Sequence, residues 1–197
     1  MISIRVATRK DGYFIARLHQ KYINKGFLSI LGISFLNALY KYIATSKESF
    51  CIVAEESDKI LGFVSMTENV SKLYKSFIKK NFAKIIIMLF PKILNVKILK
   101  KIYETLKYPS EKLPDLPDAE LLSIVVDSNY QGKNISRLLF EALLYECDKR
   151  NIKSFKVVVG DNLARAKRFY EKMGGKKVNE IEVHKGEKSL IYVWKNL

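Results

Sequence analysis

Glu120-Leu121-Leu122-Ser123-Ile124-Val125-Val126, followed without a gap by Asp127-Ser128-Asn129-Tyr130-Gln131-Gly132-Lys133-Asn134-Ile135-Ser136, is the stretch that decides the fold. The first seven residues are strand-like. After the polar turn, Ile135, Leu138, Leu139, Ala142 and Leu143 recur at helical spacing. Strand, tight turn and helix in direct succession aim the first free N–H groups of the helix at whatever lies above the strand's end. The helix dipole makes that spot attractive to phosphate. The stretch therefore predicts a phosphate-bearing ligand at the turn.

Downstream, the helix is expected to end near Arg150, and Phe155-Lys156-Val157-Val158-Val159-Gly160 forms the next strand. A helical connection between the strands ending near Val126 and Gly160 predicts that they are parallel neighbours. A last helix from about Leu163 to Met173 stops at Gly174-Gly175. Val178–Val183 and Ser189–Trp194, joined through Lys185-Gly186, predict a closing hairpin. Upstream, Ile2, Ile4 and Val6 alternate with polar residues in a short first strand, and two helices follow. One carries Phe14, Ile15, Leu18 and Tyr22 at helical spacing; the other covers about Ser34 to Ala44. Phe50–Ala54 and Ile60–Met66 make a hairpin across Glu55–Lys59, with Gly62 marking a bulge, a close backbone approach or simply a small residue. Pro109–Pro117 is an extended loop leading into the central strand.

Residues 71–112 differ in character from the rest. They hold eleven lysines against Glu104 and Glu111, a net charge of +9, together with enough apolar residues for two or three helices broken near Pro91. A basic amphipathic segment can rest on an anionic membrane surface. The reading favoured here is a helical insertion folded over the substrate cleft, its apolar side in the core and its lysines in water.

At 197 residues, residues 1–197 are expected to form a single domain carrying this insertion, large enough to bury a core without staples. The net charge of +15 raises the question of a nucleic-acid partner. The basic residues are 28 lysines and only 7 arginines, spread over nearly every segment. Arginine is the better reader of bases and phosphates, so no nucleic acid is expected. Cys51 and Cys147 lie in apolar runs and predict buried free thiols, hence a reducing compartment. With no signal-like run at the start and no apolar stretch of membrane-spanning length, a cytoplasmic location is expected. No metal-ligand cluster is visible. His19 and His184 read as packed or surface residues without a partner.

The stretch from Glu120 to Ser136, together with Asn162, Ala166 and Phe169-Tyr170-Glu171-Lys172-Met173-Gly174, resembles the GNAT superfamily of acetyl-CoA-dependent N-acetyltransferases. The element order fits as well. The resemblance implies an α/β fold with a mixed central β-sheet flanked by helices, the GNAT-like acyl-CoA N-acyltransferase fold, with the helical insertion before the central strand. It implies acetyl-CoA as co-substrate, no metal and direct transfer to an amine. In that family the turn reads Gln or Arg, two residues, Gly, one residue, then Gly or Ala, and its amides hold the CoA pyrophosphate. Gln131 matches the first position. Asn134 and Ser136 stand where small residues are usual, which bears on affinity more than on fold.

The cofactor-binding residues so implied are Ile124, Val125 and Val126 of the strand, Gln131, Gly132, Lys133, Asn134, Ile135 and Ser136 of the turn, and Asn162. Asn162 lies one position further from Tyr170 than the commoner spacing. The catalytic residues implied are Tyr170, a phenol able to protonate the departing thiolate, and Glu120, a carboxylate able to take the proton of the acceptor ammonium. The aromatic usual after the glycine is replaced by Gly175. The expected acceptor is the primary amine of a small molecule or amino sugar. The alternatives are a protein or peptide amine, or a non-catalytic CoA-binding or membrane-surface module. A homodimer is compatible with all of these readings.

Overall fold

The structure is a computed structural model that describes residues 1–24, 26–93, 116–184 and 187–195. In chain order the elements are β1 (Ser3–Val6), α1 (Gly12–Tyr22), α2 (Phe27–Leu31), α3 (Ile33–Ile43), β2 (Ser49–Glu56), β3 (Lys59–Thr67), α4 (Val70–Ile93), β4 (Glu120–Val126), α5 (Ile135–Lys149), β5 (Ser154–Gly160), α6 (Ala164–Lys172), β6 (Lys176–His184) and β7 (Glu187–Lys195). One seven-stranded sheet has the order β1-β2-β3-β4-β5-β7-β6. Among the described strands only β4 and β5 are parallel, as the helical crossover between them requires.

Alternation along the strands sends side chains into two separate cores. Phe50, Ile52 and Ala54 of β2 join Leu121 of β4, Phe155 and Val157 of β5, and the inner faces of α5 and α6. Cys51 and Val53 point the other way, to Ile15, Leu36, Leu39 and Tyr40 of α1 and α3 and to Leu73 and Phe77 of α4. Both faces of β2 and β3 are thus covered, which explains why these strands read as almost unbroken apolar runs. Cys51 and Cys147 are buried free thiols.

Gly62 combines two of its expected roles. The ladder between β2 and β3 shifts register beside it, and a Cβ there would lie 2.7 Å from the Val125 carbonyl oxygen. Three helices rather than two precede the hairpin, because Gly26 and Gly32 bracket Phe27–Leu31 as a separate turn-and-a-half.

The insertion also departs from expectation. α4 runs through Pro91, and its break falls at Asn81, whose φ of −121° and ψ of 18° are non-helical. The Asn81 side-chain amide donates to the Phe77 carbonyl at 3.1 Å, so a side chain competes with the helix ladder at that point. Residues 94–112 of the expected insertion, most of the Pro109–Pro117 loop and the Lys185-Gly186 turn lie outside the described residues.

The feature that positions the site is a short ladder. β4 pairs with β3 along its length and β5 pairs with β7 along its length, but β4 and β5 pair only at Glu120↔Lys156 and Leu121↔Val157. Beyond Leu121 the edge of β4 that faces β5 has no strand partner among the described residues. The sheet opens toward the carboxyl ends of its two parallel strands, the usual place for a ligand in such sheets.

Candidate active site

At the end of β4 the chain is locked before it turns. The Asp127 amide donates to the Leu61 carbonyl at 2.8 Å, and its carboxylate accepts from the Asn129 amide at 3.0 Å. Burial works against the Asp127 charge, but the Asn129 amide, the Tyr22 hydroxyl and Lys21 outweigh it and hold the carboxyl below its ordinary value. Tyr22, at the end of α1, takes the Ser128 amide at 2.9 Å. α1 is thereby tied to the turn.

The turn has the backbone that its sequence leaves open to question. Gly132 has φ +82°, and nothing among the described residues lies within 4 Å of where its Cβ would be. Asn134 is left-handed at φ 57° and holds the N-cap position of α5 without a side-chain cap. Asparagine is the non-glycine residue that most readily takes this conformation, so the shape a glycine would give is kept. Among the described residues no acceptor takes the amides of Gly132 to Arg137, and the first helical bond of α5 is Leu138 N–H to the Asn134 carbonyl. Ile135 is buried and anchors the helix, which leaves those amides at its amino end for an anion.

Cations frame the same place. Lys59 and Lys133 lie over the Tyr130 ring at 5.1 and 5.2 Å. Arg165, in the first turn of α6, donates to the Gln131 side-chain oxygen at 2.8 Å. That bond links the turn after β4 to the helix after β5 across the mouth of the open sheet. Asn162 sits exposed in the turn between β5 and α6, at the same end. Ile124, Val125 and Val126 form the last turn-ward part of β4, beyond the point where its ladder to β5 has stopped. The structure thus brings the expected binding residues to one edge.

The two expected catalytic residues lie on opposite faces. Tyr170 is buried in the core under α5 and α6, against the rings of Phe169, Tyr192 and Trp194. Burial pushes its hydroxyl above the ordinary phenol value, so it keeps its proton at neutral pH. Gly175 is also accounted for here: a Cβ on it would meet the Trp194 ring at 2.6 Å, and it is Trp194 of β7 that places an aromatic ring there. Glu120, at the start of β4, is buried and has Lys156 Nζ 3.8 Å away. Lys156 also donates to the Pro117 carbonyl. Tyr74 of α4 lies close enough that, after burial, the Glu120 charge is the further cause raising its hydroxyl.

That face holds a polar group that sequence reading missed. His19 is buried, and its Nδ1 lies 2.6 Å from the Tyr40 hydroxyl. Burial raises the Tyr40 hydroxyl, opposed by Ser123 of β4. The His19 Nε2 is buried without a hydrogen-bond partner among the described residues, and Ser65, paired with Ser123 across the ladder, is a second hydroxyl beside Tyr40 that opposes the effect of burial. Burial lowers the His19 imidazole to about 4, so it is neutral at pH 7. In sequence, Tyr40 looks like any apolar-face residue and His19 has no nearby partner; nothing marks them as a pair. Arg165 and Tyr22 were equally hidden, since their roles depend on contacts across 34 and 106 residues of chain.

A sequence model described as the acetyltransferase (GNAT) family matches residues 20–175. The chain belongs to the GNAT acetyltransferase family. As a GNAT protein it is an acetyl-CoA-dependent acyltransferase and has the mixed sheet of that fold. Solved structures agree on the fold. An N-acetyltransferase from Staphylococcus aureus superposes with a TM-score of 0.64 at 14% identity, covering 99% of this chain and 98% of the other. PaiA N-acetyltransferase from Thermoplasma acidophilum, solved in complex with coenzyme A, gives 0.58 at 13% identity over 99% of each chain. The ribosomal-protein-S18-alanine N-acetyltransferase from Escherichia coli gives 0.53 at 14% identity, over 100% of this chain and 94% of that one. No curated protein sequence matches the chain. Among the described residues no cluster of side chains could hold a metal ion, and no helix is long and apolar enough to cross a membrane.

Proposed function

We propose that this GNAT protein transfers the acetyl group of acetyl-CoA to the primary amine of a small molecule or amino sugar by direct attack. The observation that carries the reading is the row of free amides from Gly132 to Arg137, set at the mouth of the opening between β4 and β5. These amides would hold the pyrophosphate, and the free edge of Ile124 to Val126 would run beside the pantetheine arm, with Asn162 on the far side. Lys59, Lys133 and Arg165 add positive charge at the phosphate end. Acetyl-CoA supplies the activated acyl group.

The chain's own residues divide the proton work between the two faces. Glu120 accepts the proton that an ammonium must lose before its nitrogen can attack, with Lys156 fixing the carboxylate. Tyr170 is the acid of this reading, its hydroxyl proton passing to the thiolate as the carbon–sulfur bond breaks. Acid and base on opposite faces serve a reaction in which the nucleophile arrives on one side of the opening and the leaving group departs on the other.

For the acceptor, the net charge of +15 disfavours strongly basic peptides through like-charge repulsion at the cleft, and α4 roofs the Glu120 face through Tyr74. The alternative, a protein amine, draws on neighbours such as the E. coli enzyme, whose likeness is one of fold. Release of CoA thiol against a panel of amines tests the choice. Turnover is expected with neutral or acidic small amines, and turnover confined to peptide N-termini would overturn it. A thermal-shift titration with acetyl-CoA tests the binding half separately. Stabilisation of about 2 to 3 kcal/mol is expected at a hundredfold excess over Kd, and none at millimolar ligand would remove the cofactor assignment.

A further inference from the structure

The two halves of α4 face different surroundings. Before the kink at Asn81, Leu73 and Phe77 are fully buried against the body, with Phe77 edge-on to Phe35 at 5.5 Å, while Lys72, Lys75, Lys79 and Lys80 are exposed. After it, Leu89 is buried, but the outward face is apolar. Phe82, Ile86, Ile87 and Phe90 are 61%, 43%, 74% and 70% exposed. Positions 82, 86 and 90 follow one another at four-residue spacing and 87 lies beside them, so the four form one stripe. Lys84 is the only charged residue from Phe82 to Phe90, and no acidic residue occurs between Glu68 and Glu104.

We propose that this stripe seats the protein on an anionic lipid surface. Lysines at the rim of an apolar helix face match such a surface on both counts: negative headgroups attract the charge, and the apolar side chains enter the boundary between headgroups and acyl chains. A second copy of the chain fits less well. A two-fold contact through the same patch would bring Lys79 and Lys84 of each copy toward one another with no nearby acidic residue in this segment to offset them. A nucleic acid would use the lysines and leave four large apolar side chains without a role.

The test is co-sedimentation of the full-length protein with vesicles of pure phosphatidylcholine and with vesicles containing about one third phosphatidylglycerol. Binding is expected to the anionic vesicles, at least tenfold weaker to the neutral ones. The double substitution Phe82→Ser with Ile87→Ser should weaken it by a further tenfold or more, and it should leave the thermal shift with acetyl-CoA unchanged, since these side chains are exposed and far in sequence from the turn. Absence of wild-type binding to anionic vesicles overturns the proposal. Retention of full binding by the double variant overturns insertion of the stripe. Sedimentation equilibrium showing a dimer that the double variant dissolves would assign the face to a second copy instead.

Discussion

His19 shows how one buried side chain ties stability to pH. Folded, its imidazole titrates at about 4 because burial disfavours the cation; unfolded, it returns to about 6.5. In between, the unfolded chain binds a proton that the folded one does not. Stability is complete above pH 6.5 and falls by about 3 kcal/mol as the pH drops to 4. Urea melts at pH 7.5 and 4.5 should show this loss, and His19→Gln should flatten it. Asp11 acts in a lower window. Its carboxyl is held at about 2, first by the Arg5 guanidinium at 2.8 Å and then by the amide and hydroxyl of Thr8. Its contribution is present above pH 3.8 and disappears as the pH falls through 2. For catalysis, Tyr170→Phe should lower kcat about a hundredfold with little change in KM, measured by thiol release across pH. Unchanged kcat would remove the acid role. Glu120→Gln should lower kcat/KM by a similar factor and leave the thermal shift with acetyl-CoA unchanged, whereas a purely structural role for Glu120 would diminish both.

At the scale of the element, the turn between β4 and α5 invites a direct test of its backbone. Asn134 sits at φ 57°, so Asn134→Gly should leave Kd for CoA unchanged or tighten it, while Asn134→Val, β-branched and ill-suited to this region, should weaken it about tenfold by calorimetry. Arg165→Ala, which removes the bond to Gln131 at 2.8 Å, should weaken CoA by a smaller factor and leave kcat at saturation intact. Much of this element was legible beforehand, because period-2 and helical spacing are local and the strand–turn–helix succession from Glu120 to Leu143 leaves only one reading. The hairpin of β2 and β3, the parallel pairing of β4 with β5 and the glycine stop after α6 were readable for the same reason. What escaped depends on contacts distant in sequence or on competition within a helix. The break in α4 was expected at Pro91 on backbone grounds; it occurs at Asn81 because a side-chain amide reaches the Phe77 carbonyl. Tyr40 with His19, and Arg165 with Gln131, meet only once α3 lies on α1 and α6 on the open edge.

Across the whole molecule, the parting of two parallel strands sets the layout. One core lies under α5 and α6 with Tyr170, the other under α1, α3 and α4 with His19, Tyr40 and Glu120's neighbour Tyr74, on the two faces of the sheet in which β4 and β5 part. Gly62 lets β3 and β4 approach where the opening begins to need a firm wall. Gly62→Ala would put a methyl 2.7 Å from the Val125 carbonyl and is expected to destabilise the fold by about 1 to 3 kcal/mol, read as a drop in Tm. Trp194 closes the other side of the same arrangement. It is the only tryptophan in the chain, stacks on Phe155 at 4.8 Å, donates its ring N–H to the Met173 carbonyl and touches Tyr170 edge-on. The protein therefore carries its own optical probe. Its emission should be blue-shifted in the folded protein, as befits a buried indole, and should shift to the red on unfolding, giving a label-free reading of the packing of this core.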